Sequence, residues 1–542
     1  MVQHHRYTPL RNPRIGVTLL IITVFIRAVV CNCFGQQMQN SYIREIVCDL
    51  NQPTSLLNKS FNECVGAGRA NEGLRADWQH QLKMVKTALG FRYLRFHGLL
   101  SDDMGVYKET KDGKAVYNWQ NIDVLFDFLL SIDVKPFVEL SFMPNDLASG
   151  KQTIFWWRGN ITPPKDYAKW NELIRQLLVH WTKRYGETQV ASWYFEIWNE
   201  PNLKGMFFTG DQQDYFKLYQ QTARTIKSVS SKYRVGGPAS AGNAWVPAFL
   251  KYCTAGNAPI DFITAHEYSV RSGFVDTSGN TGTIINPNKN WVASVMRNTR
   301  DTINHSKRPD LELHYTEWSA SYTPTDPIHD CYQEASFILN TIKRAGPYVN
   351  SLSYWTFTDI FEELGPPFQP FHGGFGLLNV QDIKKPAFYA FKFLNELGQN
   401  QYPCSDSSSF VCKDNKGNLQ VLLWDCTIDH PGDSTNDQIY YKRDLPAKTI
   451  SPAHLRLRHL MPGKYWLRVY QTGYHVNDAY GAYLSLGSPQ HLSSAQLSFI
   501  KSRSDGSAVQ SELVTIGANG VFEIQLAMRQ NDVFFLTLKP LM

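Results

Sequence analysis

The sequence predicts an α/β fold: a closed (β/α)8 barrel carrying an accessory antiparallel β-sandwich domain. Between about residues 60 and 398, short apolar runs alternate with longer amphipathic stretches, the rhythm of βα units on a parallel sheet. The runs number eight, which suits a closed barrel better than an open sheet. Beyond Gly398 the pattern changes to short alternating runs separated by Gly, Pro, Asn and Asp, as in a β-sandwich. A chain of 542 residues has room for both, since a barrel takes roughly 250 residues or more.

Residues 1–35 read as a signal peptide or signal anchor. Arg6, Arg11 and Arg14 precede an apolar run at residues 15–26, and no acid lies among residues 1–14. The run is short for a membrane span and typical of a signal-peptide core, although Ala28-Val29-Val30 lengthens it past Arg27. Cys33-Phe34-Gly35 offers small residues for cleavage. The chain is therefore expected to be exported, secreted or periplasmic, with no membrane contact beyond an N-terminal anchor. Residues 36–59 look extended and are expected to join the sandwich. Barrel strands are expected at residues 61–66, 93–96, 136–142, 193–198, 234–237, 262–266, 312–317 and 351–357. Several of these runs are apolar throughout, as strands buried on both faces should be. Helices are expected at residues 76–89, 122–132, 166–185, 211–230, 290–304, 331–345 and 387–397. Sandwich strands are expected at residues 419–424, 464–470, 496–500, 521–526 and 533–538.

Composition narrows the function classes. Hydrophobic residues at 43% against 19% charged describe a globular chain with a sizeable core, not a disordered one. The net charge of +6 is small for this length and no Lys/Arg stripe concentrates it, so nucleic acid is not an expected partner. The 14 Trp, 27 Tyr and 31 Phe suit the C–H faces of sugar rings, and equally suit a large core. Of the nine cysteines, Cys31 and Cys33 fall in the expected leader and none of the other seven shows metal-ligand spacing, and no metal or organic cofactor is implied. Cys404 and Cys412 are the nearest pair outside the leader, and export would permit a bridge between them. Asn58, Asn160 and Asn304 begin glycosylation sequons, which matter only in a eukaryotic secretory host.

Two strand ends carry the chemistry. The run Trp193-Tyr194-Phe195-Glu196-Ile197-Trp198 leads into Asn199-Glu200-Pro201, which puts Glu200 at the barrel mouth on the fourth strand. The seventh run ends in Tyr315-Thr316-Glu317-Trp318, on the same rim. Glycoside hydrolysis with retention needs two carboxyl groups about 5–5.5 Å apart. One must be protonated to serve the leaving oxygen, and the other ionised to attack the anomeric carbon. A lone Glu-Pro says little, but Asn-Glu-Pro with Thr-Glu-Trp three strands later outweighs a merely salt-bridged rim carboxylate. Asn199 is placed to hydrogen-bond a sugar 2-hydroxyl, or else to cap the following turn. His97, ending the second strand, reads as a donor to a sugar hydroxyl, and Asp102 as a loop support. Glu139 reads as a partner of Arg95 inside the barrel, and Glu196 as a second structural carboxylate. Glu362 and Glu363, on the loop after the eighth strand, read as sugar-binding acids or as a solvated pair.

These segments together resemble a known family. Arg95-Phe96-His97-Gly98, residues 195–203, His266-Glu267-Tyr268, residues 315–318 and residues 353–363 look like clan A glycoside hydrolases. Within that clan the match is to family 39, the β-xylosidase and α-L-iduronidase family, over roughly residues 45–400. The resemblance implies Glu200 as general acid/base and Glu317 as nucleophile. It implies that the region of His266 and Tyr268 orients the nucleophile, with Tyr268 hydrogen-bonded to Glu317. It also implies Trp355 beneath the sugar at the −1 subsite. Iduronidases of the family resemble His-Arg-Lys where this chain has His266-Glu267-Tyr268, and losing a cation while gaining a carboxylate disfavours a uronate. Arg271 is the cation that stays close in sequence. The expected activity is an exo-acting β-xylosidase on a glycoside or oligosaccharide. The alternatives are an α-L-iduronidase-like or other β-glycosidase and, from a different class, an inactive carbohydrate-binding protein.

Overall fold

The computed structural model describes residues 43–541. The expected leader at residues 1–35 lies outside the described residues. Eight parallel strands close into a TIM barrel: β1 (Cys64–Arg69), β2 (Tyr93–His97), β3 (Lys135–Leu140), β4 (Tyr194–Ile197), β5 (Arg234–Ala241), β6 (Phe262–Tyr268), β7 (Glu312–Ser319) and β8 (Ser351–Tyr354). They pair in chain order, and β8 returns to β1. Each is followed by a helix: α1 (Ala76–Leu89), α2 (Gln120–Ser131), α3 (Tyr167–Tyr185), α4 (Gln212–Val229), α5 (Val246–Tyr252), α6 (Trp291–Asn304), α7 (Gln333–Ala345) and α8 (Pro386–Asn395).

Strand alternation builds the barrel interior in layers. Tyr93, Phe137 and Tyr194 sit low in β2, β3 and β4 and plug the N-terminal end with Cys64 and Phe262. The Phe137 and Tyr194 rings stack 4.8 Å apart. Two residues further along the same strands, Arg95, Glu139 and Glu196 form a fully buried charged layer. Two further along β2, His97 reaches the mouth. The intervening Leu94, Phe96, Val138 and Phe195 join the main apolar core, so these strands are buried on both faces.

Several expected boundaries shift: the fifth strand, for example, runs on to Ala241 and the third stops at Leu140. The first strand begins at Cys64 because Phe61 lies in the 3-10 turn Ser60–Asn62. The eighth ends at Tyr354, so Trp355 opens the following loop. Helix α5 was not among the expected helices; seven residues with a proline in the first turn show too little helical period to be seen.

Two further sheets stack beside the barrel. The larger has seven strands in the order Ser55–Leu56, Asn400–Tyr402, Ser409–Lys413, Leu419–Trp424, Val533–Pro540, Gly463–Thr472 and Gln510–Ile516. The smaller has three: Arg44–Asp49, Thr449–Arg458 and Phe522–Arg529. Arg44–Asp49 runs parallel to Thr449–Arg458, so the sandwich is not wholly antiparallel. Residues 496–500, expected as a strand, lie instead in the helix Ser494–Arg503. Cys404 and Cys412 are free thiols rather than a bridge. Cys412 faces the core shared with the barrel, whereas Cys404 packs against the core between the two sheets. Asn160 is buried and donates to the Gly150 carbonyl at 3.0 Å, so of the three sequons this one is closed to modification. Among the described residues no helix is long and apolar enough to cross a membrane.

Candidate active site

A cleft of about 970 Å3 opens at the C-terminal ends of the barrel strands. Glu200 lies just past β4 and Glu317 near the end of β7, and both line it. One carboxylate oxygen of each lies within 4.8 Å of the other and of a His266 ring nitrogen. The turn that presents Glu200 has left-handed backbone at Trp198 (φ 70°) and at Glu200 itself (φ 41°), unusual for residues with large side chains. Hydrogen bonds from within the turn and from β5 hold it. Glu200 N–H donates to the Ala239 carbonyl at 2.9 Å, Leu203 N–H to the Glu200 carbonyl at 3.0 Å, and Trp198 Nε1–H to the Phe207 carbonyl at 2.8 Å.

Both oxygens of Glu317 receive donors. Arg95 Nη1 donates to Oε1, and the Tyr268 hydroxyl donates to Oε2 at 2.7 Å. That is the setting of an ionised carboxylate. Arg95 is anchored by Glu139 at 2.6 Å, Glu196 at 2.9 Å and Asn199 Oδ1 at 2.9 Å. Burial works against the Arg95 charge, and the carboxylates of Glu139, Glu196 and Glu317 more than restore it.

Glu200 has the opposite setting. Its carboxyl is pushed well above the ordinary range, first by burial and then by the charge of Glu317, against the pull of Arg95. His266 Nδ1 lies 2.8 Å from Glu200 Oε1, and its Nε2 lies 3.1 Å from Thr316 Oγ1. The Thr316 hydroxyl donates to Glu196 Oε1 at 2.8 Å, so towards His266 it acts as acceptor. Burial, with Arg95 and His97 nearby, holds the His266 ring neutral. A neutral ring with its proton on Nε2 leaves Nδ1 to accept the Glu200 O–H. The network therefore accommodates a protonated Glu200 at rest.

The other expected residues fall into two groups. His97, Asn199, Tyr268, Trp355 and Glu363 all line the cleft. His97 Nδ1 is fixed by Glu139 at 2.7 Å, which leaves Nε2 towards Glu317 and Glu363 at 3.6 and 3.8 Å. Asn199 gives its oxygen to Arg95, and Asn202 rather than Asn199 pins the turn, through both polar atoms of Ala241. Trp355 is buried beneath the cleft and needs Gly66, where a Cβ would come 2.4 Å from its ring. Glu363 is raised well above the carboxylate range, first by burial and then by the charge of Glu317. Two expectations need correction. His266 does not reach the cleft; it stands behind Glu200 and serves the acid more directly than the nucleophile, which is 3.5 Å away. Glu362 turns from the cleft and pairs with Arg69 at 2.6 Å and Arg75 at 2.8 Å.

Sequence reasoning missed much of the wall. Phe155 and Trp156 come from the loop after β3, Met206 and Phe207 from the loop after β4, and Tyr322 and Leu364 from the loops after β7 and β8. The run Phe155-Trp156-Trp157, three aromatics outside any helix or strand pattern, was the available signal. Glu267 also lines the cleft; burial pushes it up to about 7 against hydrogen bonds from Trp291 and Asn243. Arg271 does not line it and pairs with Asp433 at 2.8 Å. Among the described residues, no lysine or arginine lines the cleft.

The model for "Glycosyl hydrolases family 39" matches residues 44–516. A β-xylosidase of Caldicellulosiruptor saccharolyticus is 44% identical over 361 residues, 66% of this chain and 73% of that protein. A β-xylosidase of Geobacillus stearothermophilus is 41% identical over 378 residues, 68% of this chain and 75% of that protein. The crystal structure of a glycoside hydrolase family 39 enzyme of Xanthomonas axonopodis pv. citri superposes with a TM-score of 0.89 at 41% identity, covering 94% of this chain and 100% of that one.

Proposed function

The chain belongs to glycosyl hydrolases family 39, and from that premise we propose that it is an exo-acting β-xylosidase that retains configuration by double displacement. One observation carries the mechanism: one carboxylate oxygen of Glu200 and one of Glu317 lie within 4.8 Å of each other in opposite surroundings. An inverting pair needs about 6.5–9.5 Å to admit a water between carboxylate and sugar, and a retaining pair does not.

Glu317 attacks the anomeric carbon while Glu200 gives its proton to the leaving oxygen. The glycosidic bond breaks, and a glycosyl ester forms on Glu317. Esterification removes the Glu317 charge, the second cause of the high Glu200 pKa. Glu200, now a carboxylate, takes a proton from water as that water attacks the same carbon, and the ester opens with configuration retained. Asn199 lines the cleft with its oxygen held by Arg95, which supports its amide N–H group as the donor to the sugar 2-hydroxyl. The neutral sugar is supported by the absence of lysine and arginine from the described cleft wall, since a uronate needs a cation there. Glu317→Ala is expected to abolish hydrolysis of aryl β-xylosides, and azide to restore it with a glycosyl azide of inverted configuration. Substantial turnover without azide would remove Glu317 from this role. A panel of aryl β-xyloside, β-glucoside, α-arabinoside and α-iduronide tests the sugar. Export through residues 1–35 remains part of the reading, supported by their apolar run behind three arginines.

A further inference from the structure

The cleft wall beyond Glu200 is mostly carbon. Trp156, Met206, Tyr322 and Leu364 line it, come from four different loops, and are each more than half exposed. Scattered exposed apolar side chains are ordinary, but four converging on one opening mark a binding surface. The surface is built rather than loose. Trp156 N–H donates to the Glu363 carbonyl at 2.7 Å, and its indole covers Gly365, where a Cβ would lie 3.3 Å from the ring. Deeper in, Phe155 stacks on His97 at 6.0 Å and meets Phe207 at 5.6 Å.

Direction follows from the mechanism. Glu200 protonates the leaving oxygen, so the leaving group extends outward from Glu200. Leu203, Met206 and Phe207 follow Glu200 on its own loop and line that side. A second sugar there would bring hydroxyls that need partners. Glu267 is a polar group on this wall, and each of its oxygens is already held by one donor, Trp291 on one and Asn243 on the other, which leaves part of its accepting capacity for a ligand. The N–H groups of Ala241 and Gly242 already donate to Asn202 and to the His266 carbonyl. Tyr322 offers one hydroxyl. Hydroxyls at this half-open wall gain little beyond the hydrogen bonds water already gives them, whereas apolar surface gains from the contact.

Resting on the β-xylosidase reading above, we infer that the preferred substrates are β-xylosides of an apolar alcohol or phenol rather than of a second sugar. The test compares kcat/KM for methyl, butyl and hexyl β-xylosides with xylobiose and p-nitrophenyl β-xyloside. Butanol and hexanol are equally poor leaving groups, so a rise between them reports binding. The expected rise is on the order of threefold per methylene, with xylobiose below the hexyl glycoside although its sugar hydroxyl is the better leaving group. Leu364→Asp and Met206→Asp, at exposed positions, are expected to flatten the dependence on chain length. A flat series with xylobiose tenfold above hexyl xyloside overturns the inference and leaves the β-xylosidase reading standing. A steep series that both variants leave steep overturns the placement of the site. If p-nitrophenyl β-xyloside is not cleaved either, the β-xylosidase reading fails and the inference falls with it.

Discussion

Glu200 and Glu317 are the same residue type, one carboxylate oxygen of each within 4.8 Å of the other, yet only Glu317 receives Arg95 and Tyr268. Glu200 receives burial, the neutral His266 and the field of Glu317. In Glu317→Gln that field is gone and burial remains. Glu200 should then titrate lower than in the parent enzyme but still above an ordinary glutamate, near 4.3. Carboxyl carbon NMR of glutamate-labelled protein reads this directly, and an unchanged titration would show that Glu200 does not sense Glu317. The sign for activity follows. A raised acid is protonated below its folded pKa, so kcat/KM holds on the acid side of that value and falls as pH rises through it. This pair was legible because strand periodicity says which strand ends share a rim. Glu362 and Glu363 were not separable in that way. They are adjacent on an irregular loop, no period assigns their directions, and Arg69 and Arg75, distant in sequence, draw Glu362 aside.

Among the secondary-structure elements, the helix Ser494–Arg503 shows where pattern reading fails and why. Leu497, Phe499 and Ile500 look like a short apolar strand, and Ile500 alone of the helix is buried, so no amphipathic stripe announces it. The local signal was Ser493 with Gln496 three residues on. The Ser493 hydroxyl accepts the Gln496 N–H, and the Gln496 side chain accepts the Ser493 N–H. A helix with so little buried surface depends heavily on its cap. Ser493→Ala should cost about 1 kcal/mol, felt locally. Amide exchange across residues 494–503 should quicken severalfold while the barrel strands keep their protection. Equal quickening throughout, or none, would mean that tertiary contacts hold this helix. The barrel strands were legible for the opposite reason, since burial on both faces made their runs apolar from end to end.

For the whole molecule, the central strands of the seven-stranded sheet are covered on both faces, whereas Gly463–Thr472 and Gln510–Ile516 at one edge keep one face exposed. One face packs against the three-stranded sheet, with Val411, Val421 and Leu536 meeting Ile46 and Leu455 in one core. The other packs against barrel helices: Phe410, Leu422, Trp424 and Phe535 belong to the same apolar core as the barrel, and Phe535 stacks on Phe393 of α8 at 5.1 Å. None of this contact is visible along the chain, because alternation reports that a strand has two faces but not what covers the second. Domain interfaces of modest polar area let domains unfold separately, and a shared apolar core does not. Phe393→Ala removes a buried ring from the barrel side and should cost roughly 3–5 kcal/mol. If the core is shared, that loss lowers the melting of both units together. Calorimetry should show one transition in the parent and one, at lower temperature, in the variant. Exchange protection should fall in Leu419–Trp424 and Val533–Pro540 as well as in α8. Two separable transitions, with the sandwich melting at its original temperature in the variant, would show that the barrel and the sheets are independent bodies in contact rather than one folding unit.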